Sequence, residues 1–433
     1  MRAMKKLICL AAALAILLAG CGALTETTAE TTIETEPKAQ AGEGPKEMTP
    51  PLDYEVIYGF AKTPTHYYAA HDGGIVYAPI DNLAKQTKIP LPGNHEGMKL
   101  AGAEICGITK DYLFVNIWEA RGKIRHEYDG GYYEEEDYEN RVCATFRIAI
   151  GSWEAVALIT DRYNSQRPLP WYNAASDSLL IPLIPLEIAD VVRLEAMQLG
   201  TRKRALVLLD GEALSFGLWS SWWQNAQEGQ AVLQECRSDD GRRDNYYVFD
   251  KHNQVQQKRY DEIRLVEYWD WKREVSPKNK AEEALNSKGI GRYITCGAYV
   301  YYVQSGQDGT KDDFYRVKID NTEHKLLRGN TNIIQLKSAG DKLFCQAYNP
   351  TKTRQSSEDS EVSRQIDIYL LDEDGKHAKT LFHYWDNTEG NSGYGLMSYG
   401  DKLMVTHSVI YAPERFAFLY DPATAAKFPA QND

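Results

Sequence analysis

The chain has 433 residues, 43% of them apolar and 11% aromatic, with 28 Tyr, 9 Trp, 32 Gly and 17 Pro. That length suits one large domain with extensions, and the apolar fraction excludes a disordered chain. The net charge of −12 excludes a nucleic-acid binder, which needs a basic face to displace counterions.

Residues 1–20 come first: Arg2, Lys5 and Lys6, then the apolar run 7–18. A basic stretch before a short apolar run is a secretory signal, too short for a stable membrane span. Leu18-Ala19-Gly20-Cys21 then resembles the lipobox of bacterial lipoproteins, where cleavage precedes the cysteine and its sulfur takes a diacylglyceryl group. Acylated Cys21 implies a partner, the lipid bilayer, and a location, the extracytoplasmic face of the cell membrane. Two or three acyl chains, at about 0.8 kcal/mol per buried methylene, hold a protein there durably. Losing residues 1–20 removes three positive charges and takes the net charge from −12 to −15. Residues 21–51, rich in Thr, Glu, Ala and Pro, read as the lipidated cysteine and a disordered tether that provides reach.

Residues 52–433 read as one all-β domain. Aromatic and β-branched side chains suit a pleated surface, and Gly or Asp turns recur between short apolar runs. Two near copies lie 60 residues apart: Ser338-Ala339-Gly340-Asp341-Lys342-Leu343-Phe344 and Ser398-Tyr399-Gly400-Asp401-Lys402-Leu403-Met404. Weaker copies begin at Thr109, Ser176 and Cys296. A second turn follows each, at positions 81, 151, 250, 320, 372 and 421, and Gly200 fills the long gap in the middle. Each unit reads as four antiparallel strands. Radial repetition of such units is a β-propeller, with blades starting near Glu55, Glu104, Trp171, Leu214, Arg292, Ile333 and Tyr394. Seven blades fit best, with six and eight left open, and long inter-strand loops hold the excess length.

The chemistry-bearing candidates follow in chain order. His66 and His71 stand alone, without metal-ligand spacing, so no metal is expected. The segment Glu127–Glu139 packs seven acids and four tyrosines into thirteen residues. Its Glu134, Glu135, Glu136 and Asp137 are candidates for docking a basic partner, against a plain solvated hairpin tip. Trp219, Trp222 and Trp223 share one helical face, and Trp269 and Trp271 alternate around Asp270. These five indoles are the ligand-binding candidates, suited to a sugar ring or a flat cation; packing of a long insertion against the domain competes. Ser276, as N-cap before Pro277, opens one short surface helix that Gly289 ends. Asp372-Glu373-Asp374-Gly375 offers clustered oxygens, but it reads as a turn because the calcium-loop pattern is incomplete.

After Cys9 leaves and Cys21 is lipidated, Cys106, Cys143, Cys236, Cys296 and Cys345 remain. They read as buried thiols, with a single Cys106–Cys143 bridge left open. No nucleophile elbow, phosphate loop or dinucleotide fingerprint appears, so no catalytic residue is assigned and no cofactor is expected.

The lipobox, the tether and turns such as Tyr420-Asp421-Pro422-Ala423-Thr424 make the chain similar to exported β-propeller lipoproteins of Gram-positive bacteria, themselves distantly TolB-like. The resemblance implies a fold and an interaction role and transfers no catalytic residue. The expectation is therefore a membrane-anchored, monomeric binding protein for an unidentified protein or carbohydrate. Two other readings stand beside it. One is a glycosidase or lyase using carboxylates at the central channel, and the other an accessory subunit of an envelope complex.

Overall fold

A computed structural model describes residues 53–92, 99–120, 123–128, 131–136, 142–159, 169–183, 191–217, 221–225, 229–235, 244–259, 262–263, 277–305, 312–355, 362–385, 392–409 and 412–430. Among them, seven antiparallel sheets of four or five strands follow one another along the chain. They open at Glu55, Lys99, Trp171, Ser221, Tyr293, Ile333 and Ser392. Within the sheets, strands pair mostly in chain order, so each is a meander. Opening strands meet their neighbours: Lys99–Ile108 touches Trp171–Asn173, and Ile333–Ala339 touches both Tyr293–Cys296 and Ser392–Tyr399. The last sheet packs on the first, since Ile57, Phe60 and Tyr67 share a buried cluster with Met397, Tyr399, Met404 and Phe428. Sheets arranged side by side around an axis, with the ends joined, form a β-propeller.

Local turn chemistry sets these boundaries. Gly340 and Gly400, equivalent in the two near copies, adopt φ of 58° and 60°, where a β-carbon is penalised. The expected second turns at 81, 151, 250, 320, 372 and 421 all fall between the last two strands of their sheets. One expected boundary was misplaced. The fourth sheet starts at Ser221 rather than near Leu214, because Ser215–Gly217 pairs with Val191–Gln198 of the third sheet.

A meander has two faces. Turns joining first to second and third to fourth strands lie on one, and connections from second to third strands and between sheets open on the other. Contacts between sheets agree with this division. The Ser176 hydroxyl donates to Asn253 Oδ1 at 2.6 Å, joining the first turn of the third sheet to the last turn of the fourth. The first face carries tight turns such as those at Gly340 and Gly400. The second carries the long connections, including the hairpin of Lys123–Tyr128 and Gly131–Glu136.

The first sheet has an additional strand at its inner end, Glu55–Ile57, with all three residues buried. It meets the opening strands of the second and fourth sheets. Next to it, the Tyr58 carbonyl accepts the Phe416 amide of the seventh sheet at 3.0 Å. A segment that touches the first, second, fourth and seventh sheets lies where they converge, so it fills the centre of the ring. Glu55 sits at the turn face, where Tyr399 donates its hydroxyl to the carboxylate and Lys62 Nζ lies 3.7 Å away. The chain therefore enters the ring from the turn face.

Apolar clusters run around the ring. One spans the first four sheets, another joins the fifth to the sixth, and another the sixth to the seventh. On its other face the fifth sheet is covered by the helix α1, Lys280–Ser287, through Ala281 and Leu285 against Val300, Tyr302 and Val317. Its N-cap is Asn279, not Ser276: the Asn279 carboxamide accepts the Glu282 amide at 3.0 Å, and Glu282 reaches back to the Lys278 amide at 2.7 Å. Ser276 lies outside the described residues. The Cys106–Cys143 alternative resolves as two buried thiols that form no disulfide; Cys296 and Cys345 are likewise buried and not disulfide-bonded, and Cys236 lies outside the described residues. Burial pushes the Cys345 thiol up to about 12, so it packs as a small hydrophobe.

Candidate functional site: a polar face between the third and fourth sheets

The fourth sheet consists of Ser221–Asn225, Ala231–Glu235, Asn245–Phe249 and Val255–Lys258. Its register sets Ser221 opposite Glu235 and Glu235 opposite Asn245. Directly opposed residues point to one face of a sheet, so these three form a polar row. Trp223, Leu233, Tyr247 and Gln257 form the next row on that face. It is the face that packs on the third sheet, since Leu233, Tyr247 and Phe249 share a cluster with Leu180 and Leu194.

Glu235 organises this face. One carboxylate oxygen accepts the Gly217 amide at 2.9 Å, and the other accepts Asn245 Nδ2 at 2.9 Å and the Tyr247 hydroxyl at 3.1 Å. Gln257 Nε2 donates to Asn245 Oδ1 at 2.8 Å, extending the network to the outermost strand. There Gln257 also lines a groove of about 570 Å³, together with Leu209, Asp210, Val255, Gln256, Lys258 and Glu262. The network thus runs from an open groove towards the inner end of the sheet.

Among the described residues, two buried side-chain atoms have no hydrogen-bond partner within the chain, Trp171 Nε1 and Ser221 Oγ. Each residue opens the first strand of its sheet, and they are 5% and 3% exposed. Trp171 lies nearly parallel to Trp223, with ring centroids 6.4 Å apart and planes at 14°. Trp223 Nε1 is satisfied by the Leu169 carbonyl at 2.7 Å, whereas the same group of Trp171 is not. Leaving such a group unsatisfied costs about 1–3 kcal/mol.

The tryptophan expectation is partly corrected. Residues 221–225 form a strand, so the helical spacing of Trp219, Trp222 and Trp223 does not apply. Trp223 is half-buried, packs on Phe249 at 5.7 Å and belongs to the core, in line with the packing alternative. Trp219, Trp269 and Trp271 lie outside the described residues, and Trp222 is placed only as part of its strand.

Glu134, Glu135 and Glu136 lie in Gly131–Glu136, in register with Arg125, Ile124 and Lys123, so two basic residues stand opposite the acidic run. Asp137 lies outside the described residues.

The Asp372–Gly375 turn is docked rather than open. Lys325 Nζ lies 2.8 Å from Asp374, and Arg316 lies 3.7 Å away. The Glu373 carbonyl accepts both Arg316 and the Tyr301 hydroxyl. The Lys325 ammonium holds the Asp374 carboxyl below its usual range. Gly375, at φ 72°, leaves no room for a β-carbon, which would lie 2.7 Å from Leu327. Among the described residues, no group of three or more His, Cys, Asp or Glu could hold a metal ion.

Sequence reasoning missed Trp171, Ser221, Glu235 and Gln257 as a group. They come from four strands and have no common local pattern.

No protein family and no curated protein matches this chain by sequence. Solved structures similar to it are of β-propeller type. A prolyl endopeptidase aligns over 86% of this chain and 48% of its own, at 10% identity and TM-score 0.32. The β-propeller domain of the Trilobed protease from Pyrococcus furiosus aligns over 76% and 83%, at 11% identity and TM-score 0.27. TolB from Acinetobacter baumannii aligns over 71% and 76%, at 12% identity and TM-score 0.20. The chain thus spans about half the length of the prolyl endopeptidase.

Proposed function

We propose that this chain is a lipid-anchored, extracytoplasmic binding protein, a seven-bladed and monomeric propeller. The observation that supports this reading is the fold: successive antiparallel sheets around a centre filled by Glu55–Ile57, with connections between strands free to carry recognition. The ligand site is the groove at the outer edge of the fourth sheet, beside Gln257, Lys258 and Glu262. The acidic segment around Glu134–Glu136 and Asp137 is a docking element for a basic partner on the loop face, which also suits an accessory role in an envelope complex. Binding is favoured over glycan hydrolysis because one carboxylate at the ring centre, Glu55, is committed to Tyr399 and Lys62.

Two measurements test this. Cys21→Ser is expected to abolish fatty-acid labelling and to release the protein from the membrane fraction. A photo-crosslinker at Arg125, on the loop face, is expected to capture a partner in intact cells, while one at Asp341, on the turn face, does not. Capture from Asp341 alone would overturn the assignment of the binding face.

A further inference from the structure

We infer that the groove at the outer edge of the fourth sheet takes an extended, basic peptide segment, which adds as a further strand to Val255–Lys258. This rests on the binding reading above and names the class of its ligand. The backbone sets the chemistry. The Asp250 amide donates to the Gln254 carbonyl at 3.1 Å. From there the register runs without a shift, with Phe249 opposite Val255, Val248 opposite Gln256, Tyr247 opposite Gln257 and Tyr246 opposite Lys258. Directly opposed residues alternate between hydrogen-bonded and non-hydrogen-bonded pairs. Counted from Asp250 and Gln254, the main-chain groups of Gln256 and Lys258 turn inward to the sheet, and those of Val255 and Gln257 turn outward. Val255–Lys258 is the last strand of its sheet, and Leu208–Leu209 beside it belongs to a separate two-stranded sheet. The outward groups are therefore unpaired by any described strand, along the groove that these residues line. They recur at every second residue, about 7 Å apart, which is the repeat of an extended peptide rather than of a small molecule.

Side chains set the sign of the partner. Asp210 and Glu262 line the groove against Lys258, in a chain whose net charge is −12. Asp210 and Gly211 adopt φ of 53° and 88° between Leu208–Leu209 and Glu212–Ala213, so a tight hairpin turn fixes the carboxylate beside the groove. Among the described residues, no hydrogen bond or ion pair engages that carboxylate. Glu262 accepts the Arg259 amide through one oxygen at 2.8 Å, which leaves its other oxygen for a ligand. Both acids favour lysine or arginine on an incoming strand and repel an acidic one. Leu209 lines the same groove, and Leu208 of that hairpin is 50% exposed, so apolar side chains alternating with the basic ones find cover there. The four residues of this edge span ~14 Å, so a pentapeptide covers it.

The test is calorimetric titration of the full chain in detergent micelles. The probes are the acetylated, amidated pentapeptides Lys-Val-Lys-Val-Lys and Glu-Val-Glu-Val-Glu, and the first of these with every backbone amide methylated. The variants are Gln257→Pro, which removes an outward amide that the sheet itself does not use, Gln257→Leu, which removes only the side chain, and Asp210→Asn. The basic pentapeptide is expected to bind and the acidic one to give no heat. Backbone methylation and Gln257→Pro are each expected to weaken binding about tenfold, while Gln257→Leu binds as the parent does. Asp210→Asn is expected to weaken binding and to flatten its dependence on salt. The methylated peptide poses the question without altering the protein, so misfolding of Gln257→Pro would not blur the answer. Equal affinity for the methylated peptide would overturn strand addition, and equal affinity for the acidic one would overturn the basic class. A dimer that Gln257→Pro splits, seen by sedimentation, would put a second copy of this chain on the edge and overturn the inference. Silence from every peptide with capture at Arg125 intact would overturn this inference and leave the binding reading standing.

Discussion

The hydroxyl of Tyr399 donates to the buried carboxylate of Glu55 across 344 residues of chain and so ties the last sheet to the first. The first sheet is built entirely from residues 55–90 and the last from 392–428, so no strand is exchanged to close the ring. Closure depends on such bonds and on packing, chiefly Phe60 stacked on Phe416 at 4.5 Å. Replacing Tyr399 by Phe keeps the packing and removes this donor from Glu55. The expected cost is about 1–3 kcal/mol, read as a lower urea midpoint. An unchanged midpoint would show that the bond contributes nothing to closure.

Packing between the second and third sheets is equally exacting at Gly107. A β-carbon there would lie 2.2 Å from Cβ of Tyr172, whose ring stacks on Phe114 at 4.1 Å. Gly107→Ala is expected to destabilise the fold by about 1–3 kcal/mol through overpacking. Thermal unfolding followed by tyrosine and tryptophan emission measures the loss.

One acid-sensitive contribution to stability is expected at His407. Burial, and then the nearby Arg415 guanidinium, hold its imidazole below the ordinary 6.5. Its ring lies 4.7 Å from that of Tyr394. The unfolded chain therefore takes up this proton first as the pH falls. Stability from this group is complete above pH 6.5 and is lost as pH drops from there towards the folded value. His407→Gln should narrow the gap in melting temperature between pH 7.5 and pH 5 relative to the parent. An identical gap would assign the acid sensitivity to other groups.

Calcium is expected to leave stability unchanged. In the Asp372–Gly375 turn, Asp374 is engaged by Lys325 and Arg316 of the neighbouring sheet. Melting curves in millimolar calcium and in excess EDTA should superimpose. A calcium-dependent rise would mean that the cation displaces Lys325.

Much of the architecture was legible because it is local. A tight turn between strands needs residues that tolerate positive φ within a few positions, and Gly340, Gly400 and Asp177 supply them. Features that depend on neighbours were less legible. The spacing of Trp219, Trp222 and Trp223 fits a helix, yet pairing with Ala231–Glu235 makes residues 221–225 a strand. Ser276 is a sound N-cap by composition. Asn279 takes the role because the helix packs on the fifth sheet, where Glu282 also bonds Thr295.

By itself, the sequence determined the all-β class, the succession of four-stranded units and the positions of their turns. Those depend on alternation and turn residues within a dozen positions of one another. Only the tertiary structure decided that Glu55–Ile57 fills the centre of the ring and that Ser221, Glu235 and Gln257 share one face of the fourth sheet. Sheet register and the packing of one sheet on the next bring together residues that are distant along the chain, and no local pattern in the sequence encodes either.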